Sequence, residues 1–100
     1  MKLKSLLIEA SMKNPKSVKV GDIAVTKRGK KGKVIAIGTI GDDWNDMKKY
    51  AKNSDIPKLI SDAPKGAKGL LDRLEIIAIK YDNGSTEVWT YDSDNAYVPK

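Results

Sequence analysis

The hydrophobic residues near the start of the chain are spaced with a helical period. They recur at positions i, i+3, i+4 and i+7: Leu3, Leu6, Leu7 and Ala10. This spacing predicts an amphipathic helix over residues 2–13, which Pro15 ends. A helix of this length is only marginally stable alone, so its leucine face is expected to pack on the rest of the chain or on another protein.

From Val18 onward apolar residues alternate with polar ones, which is the pattern of a half-buried strand. Gly21 and Asp22 interrupt this alternation before it continues over residues 23–26, which predicts a strand entered through a tight bend, and residues 34–37 are apolar and β-branched enough for a second strand. The lysine-rich segment between them is interrupted by Gly29 and Gly32, which predicts a turn. Residues 18–40 therefore form the first predicted hairpin.

The strand pattern is lost over residues 41–73. Acidic residues come first and lysines last over residues 42–52, an order that favours a helix dipole. Four side chains are spaced to share one face of this helix: Trp44, Met47, Tyr50 and Ala51. The whole stretch is too long and in places too apolar for a bare linker, so we predict a helical insertion between the second and third strands.

Residues 74–98 return to the strand pattern. The apolar runs 74–81 and 86–91 flank Asn83 and Gly84, a pair that readily adopts the positive φ angles of a two-residue hairpin turn. Residues 96–98 add a short closing strand. The sequence thus predicts one domain over residues 1–100, mainly β with α additions, in which five short strands close into a small barrel.

Positive charge is concentrated in the first part of the chain. The net charge is +6, but residues 1–40 alone carry +8 and residues 41–100 carry −2. A charged binding face requires such an uneven distribution, whereas a surface that is merely soluble does not. The composition therefore predicts an acidic partner for one side of the molecule.

The residue inventory argues against catalysis. The chain has no cysteine and no histidine, so thiolate and imidazole chemistry is excluded, and no nucleophile–base pair or phosphate-cradling loop is recognisable. We therefore expect no enzymatic activity, no metal and no cofactor. The apolar run at residues 6–8 is too short for a signal peptide, and no stretch approaches the length of a membrane helix, so a soluble, cytoplasmic protein is expected.

Two segments resemble a known group of small barrels. A Gly-Asp pair at residues 21–22, the turn glycines Gly29 and Gly32, and the β-branched residues of 34–37 are similar to the first hairpin of KOW modules. The same hairpin is found in the Tudor-like C-terminal domain of UvrD/PcrA-type helicases and the polymerase-binding domain of CarD. Residues 77–89 look like a later hairpin of the Tudor-like type. The resemblance covers about half the chain and implies a five-stranded SH3-like/Tudor-like barrel.

The basic hairpin is the strongest candidate site. Lysine and arginine side chains on a glycine-containing turn can approach phosphates closely, and each neutralised phosphate adds a salt-sensitive increment of affinity. The candidate nucleic-acid-binding residues are Lys27, Arg28, Lys30, Lys31 and Lys33, with Lys16 and Lys19 as a flank. No arrangement that reads base edges is recognisable, so we expect weakly sequence-selective binding to duplex DNA or structured RNA.

Three aromatic residues leave alternatives open. Trp89 and Tyr91 share one face of their strand and either stack on bases or cover the core. Trp44 either anchors the insertion in the core or forms the centre of a protein interface. Two other functions therefore remain: an adaptor that docks on a transcription or translation assembly through residues 41–73, and a small structural subunit of a phage-like particle.

Overall fold

The structure is a computed structural model that describes residues 11–52 and 55–100. The predicted N-terminal helix therefore lies outside the described residues, apart from its last three positions. There the chain runs antiparallel to the C-terminal residues: Lys100 N–H donates to Ser11 O (2.7 Å), and Lys13 N–H donates to Val98 O (2.8 Å). Asn14 then caps a single 3₁₀ turn, Pro15–Ser17, by accepting a hydrogen bond from Lys16 N–H.

Five antiparallel strands form the central sheet. They are β1 (Ile23–Thr26), β2 (Lys31–Thr39), β3 (Glu75–Lys80), β4 (Thr86–Thr90) and β5 (Ala96–Tyr97), in the spatial order β4-β3-β2-β1-β5. This sheet is open, whereas the sequence predicted a closed barrel. The edge strands approach each other only where Tyr91 and Asp92 form isolated bridges to Ala96, because β5 has two residues and pairs with β1.

The alternation over residues 18–20 is not a strand, but the tight bend predicted at Gly21 and Asp22, and the strand after it, are confirmed. Val18 is buried, but Val20 is 65% exposed, and β1 begins only at Ile23. The chain turns between these points because the Asp22 carboxylate accepts a hydrogen bond from Lys19 N–H (2.9 Å). That bond, aided by Lys13, holds the pKa of Asp22 below its ordinary value, so the turn is closed by an ionised carboxylate.

The helices between β2 and β3 occupy the segment that was predicted to be a helical insertion. They are α1 (Ile40–Met47), α2 (Ile56–Asp62) and α3 (Lys68–Asp72), with 3₁₀ turns at Lys48–Tyr50 and Lys65–Ala67. Thr39 and the first turn of α1 cap each other: Asp42 N–H donates to Thr39 Oγ1 and Thr39 N–H donates to Asp43 Oδ2. Each of these helices, the longest of eight residues, is too short to cross a membrane.

The sheet separates two hydrophobic cores. Strand β3 is buried on both faces, with Ile77 and Ile79 in the first core and Ile76 and Ala78 in the second. The first core also contains residues of β1, β2 and the C-terminal segment, while the second contains residues of the helices. The predicted apolar face of the insertion is confirmed, since Met47 is buried in the second core and Trp44, Tyr50 and Ala51 pack against it.

Tyr91 ties the first core to the two ends of the described chain. Its hydroxyl donates to Lys13 O (2.6 Å) and accepts from Val98 N–H (3.2 Å), and burial raises the pKa of Tyr91 above its ordinary value. Tyr91→Phe leaves both backbone groups without this partner and is expected to lower the free energy of unfolding by about 1–3 kcal/mol.

Thermal unfolding followed by circular dichroism measures this loss. Tyr97→Phe is the matched control, because Tyr97 is only partly buried and its hydroxyl makes no hydrogen bond within the described residues. The control should unfold within a degree or two of the parent chain. Equal stability of the two variants would show that the Tyr91 hydroxyl does not contribute.

Candidate nucleic-acid interface

The turn between β1 and β2 holds three cationic side chains at the surface. Thr26 N–H donates to Lys30 O (2.9 Å), and Gly29, at a φ of +80°, donates its N–H to Thr26 O (2.8 Å). Lys27 N–H also donates to Asn95 O (2.9 Å), which fastens the turn to the loop before β5. The exposed side chains of Lys27, Arg28 and Lys30 therefore project from a backbone that is fixed at both ends.

Lys31 and Lys33 lie on β2, whereas the sequence pattern had placed them in the turn. They are exposed and alternate with the buried Gly32 and Val34, so both point away from the first core. In the sheet Lys33 lies directly opposite Lys80 on β3. Two like charges in this arrangement destabilise a sheet unless an anion lies near them.

None of these cations forms an ion pair with a carboxylate in the part of the chain that the structure describes. Within residues 11–52 and 55–100 the single ion pair joins Lys13 to Asp22, at 3.4 Å. We call the six cations of the turn and the adjoining strands the basic surface: Lys27, Arg28, Lys30, Lys31, Lys33 and Lys80. It offers unpaired positive charge on both sides of the hairpin tip.

Neither of the two flanking lysines belongs to this surface. Lys16 lies beside Ile37 and Thr39, at the opposite end of β2 from the turn. Lys19 is in the bend before β1, where Gly21 N–H donates to Val34 O, so it lies part of the way along the hairpin. The structure therefore brings five of the seven predicted cations together and separates Lys16 from them.

A cleft of about 410 Å³ opens beside the turn, with Tyr81 and Trp89 in its wall. The Lys30 ammonium lies 3.9 Å from the centre of the Tyr81 ring, a cation–π contact, and Trp89 Nε1–H donates to the Tyr81 hydroxyl at 3.3 Å. Burial raises the pKa of Tyr81 above its ordinary value, and the neighbouring Glu87 carboxylate raises it further. The hydrogen bond from Trp89 lowers this pKa, but burial has the larger effect. Tyr81 is thus a neutral phenol that orients Trp89.

Two carboxylates complete the wall of this cleft, Asp55 from the first residues before α2 and Glu87 from β4. Sequence patterns missed these two carboxylates, and they also missed Lys80, which lies on β3 opposite Lys33. Glu87 carried a signal, because it is two residues before Trp89 on one strand and so shares its face. Asp55 and Lys80 carried none, since their places depend on how the insertion and β2 pack against β3 and β4.

The other two aromatic candidates, Tyr91 and Trp44, contribute to the hydrophobic cores. Tyr91 is buried in the first core, with its hydroxyl bonded to backbone groups, so it does not join Trp89 at the surface. Trp44 packs against the second core from α1 and anchors the insertion. Of the three aromatic residues, Trp89 is the one that the structure places beside the basic turn.

A second, apolar groove lies on the insertion. It has a volume of about 320 Å³ between α2 and α3, and its exposed apolar side chains are Leu59, Leu70 and Leu74. Leu70 is 70% exposed on α3, whose buried residue is Leu71. The cations Lys58, Lys65 and Lys68 are exposed along the same segments.

No protein family, curated protein or solved structure matches the chain. Within the described residues, no three acidic side chains come together as ligands for a metal ion. The function must therefore be inferred from the geometry of the basic surface, the aromatic cleft and the apolar groove.

Proposed function

We propose that the chain is a non-catalytic, cytoplasmic nucleic-acid-binding module that contacts phosphates through the basic surface. The observation that carries this proposal is the group of cations without an ion-pair partner on the first hairpin and the neighbouring strand β3, where Lys33 and Lys80 lie directly opposite each other. Phosphates placed along the hairpin would relieve that repulsion and release the counterions of the nucleic acid. The cations lie on a turn and on strands, with no helix presenting them to a groove, so binding is weakly sequence-selective.

We further propose that the module is related to the SH3-like/Tudor-like barrels of the KOW type. Three features support this relation: a basic, glycine-containing first hairpin, an antiparallel sheet in which four consecutive strands are neighbours, and a last strand that pairs with the first. In this interpretation the open sheet is a barrel whose edges meet at a single corner, near Tyr91 and Ala96. The helical insertion between β2 and β3 is an addition to that unit.

Titration of a labelled, random-sequence DNA duplex of about 20 base pairs tests the function by fluorescence anisotropy. If about five phosphates are neutralised, the affinity should fall by about 10²–10³-fold between ~50 and ~200 mM salt. The same titration with an RNA duplex distinguishes the two nucleic acids. Absence of binding to both at ~50 mM salt would contradict the proposal.

The apolar groove favours one alternative, an adaptor that docks on a larger assembly. Leucines flanked by lysines suit an amphipathic helix of a partner protein that carries acidic residues beside its apolar face. Such docking buries apolar surface and depends only weakly on salt. The salt dependence of the dissociation constant therefore separates the two functions. A steep decline in affinity for the duplex with rising salt identifies phosphate binding, whereas absence of duplex binding favours the adaptor function.

A further inference from the structure

The cleft beside the basic turn has a chemistry that phosphate binding alone does not use. Its cations lie on the turn, while Trp89, Tyr81 and the carboxylates of Asp55 and Glu87 are among the other side chains of its wall. A phosphate inside the cleft would face Asp55 and Glu87 and be repelled. The ligand of the interior therefore has a flat apolar face and hydrogen-bond donors, and carries its negative charge outside, toward Lys27 and Arg28.

We propose that this cleft binds one unpaired, amino-bearing nucleobase of a single strand, stacked on Trp89, while the adjoining phosphates lie on the turn. This inference rests on the proposed function and specifies its ligand. Bases stack on exposed aromatic rings in many proteins that bind single strands. A carboxylate accepts a hydrogen bond from the exocyclic amino group of cytosine. Thymine has a carbonyl oxygen at the same position, which cannot donate to a carboxylate.

The aromatic groups of the cleft have different tasks. One face of Tyr81 is covered by the Lys30 ammonium, and its hydroxyl accepts the Trp89 indole N–H, so Tyr81 is engaged within the protein. Trp89 packs against the first core on one side and remains partly exposed at the cleft. The ring is thus held in one orientation before the ligand arrives, which lowers the entropic cost of stacking.

A cationic side chain of a partner peptide would also suit Trp89 and the carboxylates. The rim of the cleft argues against it, because Lys27, Arg28 and Lys30 would repel the approaching charge. The same three cations favour a strand over a free nucleotide, since they can neutralise several successive phosphates. A peptide and a free nucleotide are therefore comparison ligands in the test.

Trp89 fluorescence in a Trp44→Phe background measures the stacking directly, because Trp89 is then the sole tryptophan. An oligodeoxycytidine of about 12 nucleotides is expected to quench it and to bind about tenfold more tightly than oligodeoxythymidine. A duplex of equal length should bind, as seen by anisotropy, without comparable quenching. Cytidine monophosphate at the same base concentration should leave the fluorescence unchanged.

Two variants, with one matched control, show which side chains are responsible. Glu87→Gln should reduce the preference for cytosine at least threefold, while Glu75→Gln, at the far end of the sheet, should leave it unchanged. Trp89→Leu should weaken single-strand binding about tenfold and leave duplex binding within twofold, provided that thermal unfolding shows a folded chain. Glu87→Gln is expected to remain folded, because the Glu87 side chain is not part of either hydrophobic core.

The outcomes separate this inference from the proposed function. Equal affinity for single strand and duplex with unchanged Trp89 fluorescence would overturn the base-binding cleft and leave the phosphate-binding module in place. Quenching by cytidine monophosphate, or by an arginine-rich peptide but not by the strand, would overturn the assignment of the ligand. Failure of both nucleic acids to bind would remove the proposed function itself.

Discussion

Replacing Lys27, Arg28, Lys30, Lys31 and Lys33 with glutamine is expected to weaken binding of a random DNA duplex by at least about 100-fold at ~50 mM salt. These residues form most of the basic surface, and the described part of the chain supplies none of them with a carboxylate partner. Without these cations, fewer counterions are released from the DNA when the protein binds. The slope of log affinity against log salt should therefore become shallower by about four.

A matched variant controls for net charge. Replacing Lys48, Lys52, Lys58, Lys65 and Lys68 with glutamine removes the same number of charges from exposed positions of the insertion. Only the long-range field changes in this case, and salt screens it, so the affinity should fall by less than about threefold. If both variants lose affinity equally, the net charge of the chain is responsible, and the basic surface is not a binding site.

The Lys33–Lys80 pair deserves a separate variant, since it distinguishes the two sides of the hairpin tip. Lys80→Gln relieves the repulsion in the free protein, so the sheet should be as stable as before or slightly more stable. The same change removes one phosphate contact and should reduce the salt slope by about one. A residue whose removal stabilises the sheet and weakens binding is one that the fold alone does not require.

Local signals predicted much of the fold. The two-residue period located the strands, and the Asn83–Gly84 pair fixed the second hairpin, where Gly84 has a φ of +86° and donates its N–H to Tyr81 O. The acidic residues located the start of the first helix of the insertion, which begins at Ile40 with Asp42 and Asp43 in its first turn, but the helix ends at Met47, before the lysines. Each of these features depends on neighbours in sequence, and for that reason a single sequence reveals it.

The features that sequence patterns missed depend on contacts between distant segments. Gly32 was assigned to the turn because glycine usually ends a strand, but here it is a strand residue that lets β3 approach. The opposition of Lys33 and Lys80 depends on the register of β2 against β3, which are separated by the whole insertion. Asp55 reaches the cleft because α2 packs near β4. The sequence therefore predicted the charged turn of the candidate site, but it did not predict the cleft beside that turn.

The close approach at Gly32 makes a substitution there strongly destabilising. A Cβ atom at this position would overlap Ile79 Cγ2 and would lie 2.9 Å from Lys80 O and 3.0 Å from Tyr81 Cδ1. The side chain of Ile79 is fully buried, and a backbone oxygen in a central strand cannot move away. Gly32→Ala should therefore lower the free energy of unfolding by about 3 kcal/mol, a large part of the stability of a small domain.

Thermal unfolding of Gly32→Ala beside Gly69→Ala tests this expectation, since Gly69 is on α3 with open space around it and gains helix propensity from the methyl group. Gly32→Ala should unfold at least about 10 °C lower and Gly69→Ala at the parent temperature or slightly above. Because the added methyl group also meets Tyr81, it should displace the residue that orients Trp89 and shift the Trp89 emission in a Trp44→Phe background. An unchanged unfolding temperature would mean that β2 and β3 are not packed as closely as the register of Lys33 and Lys80 implies.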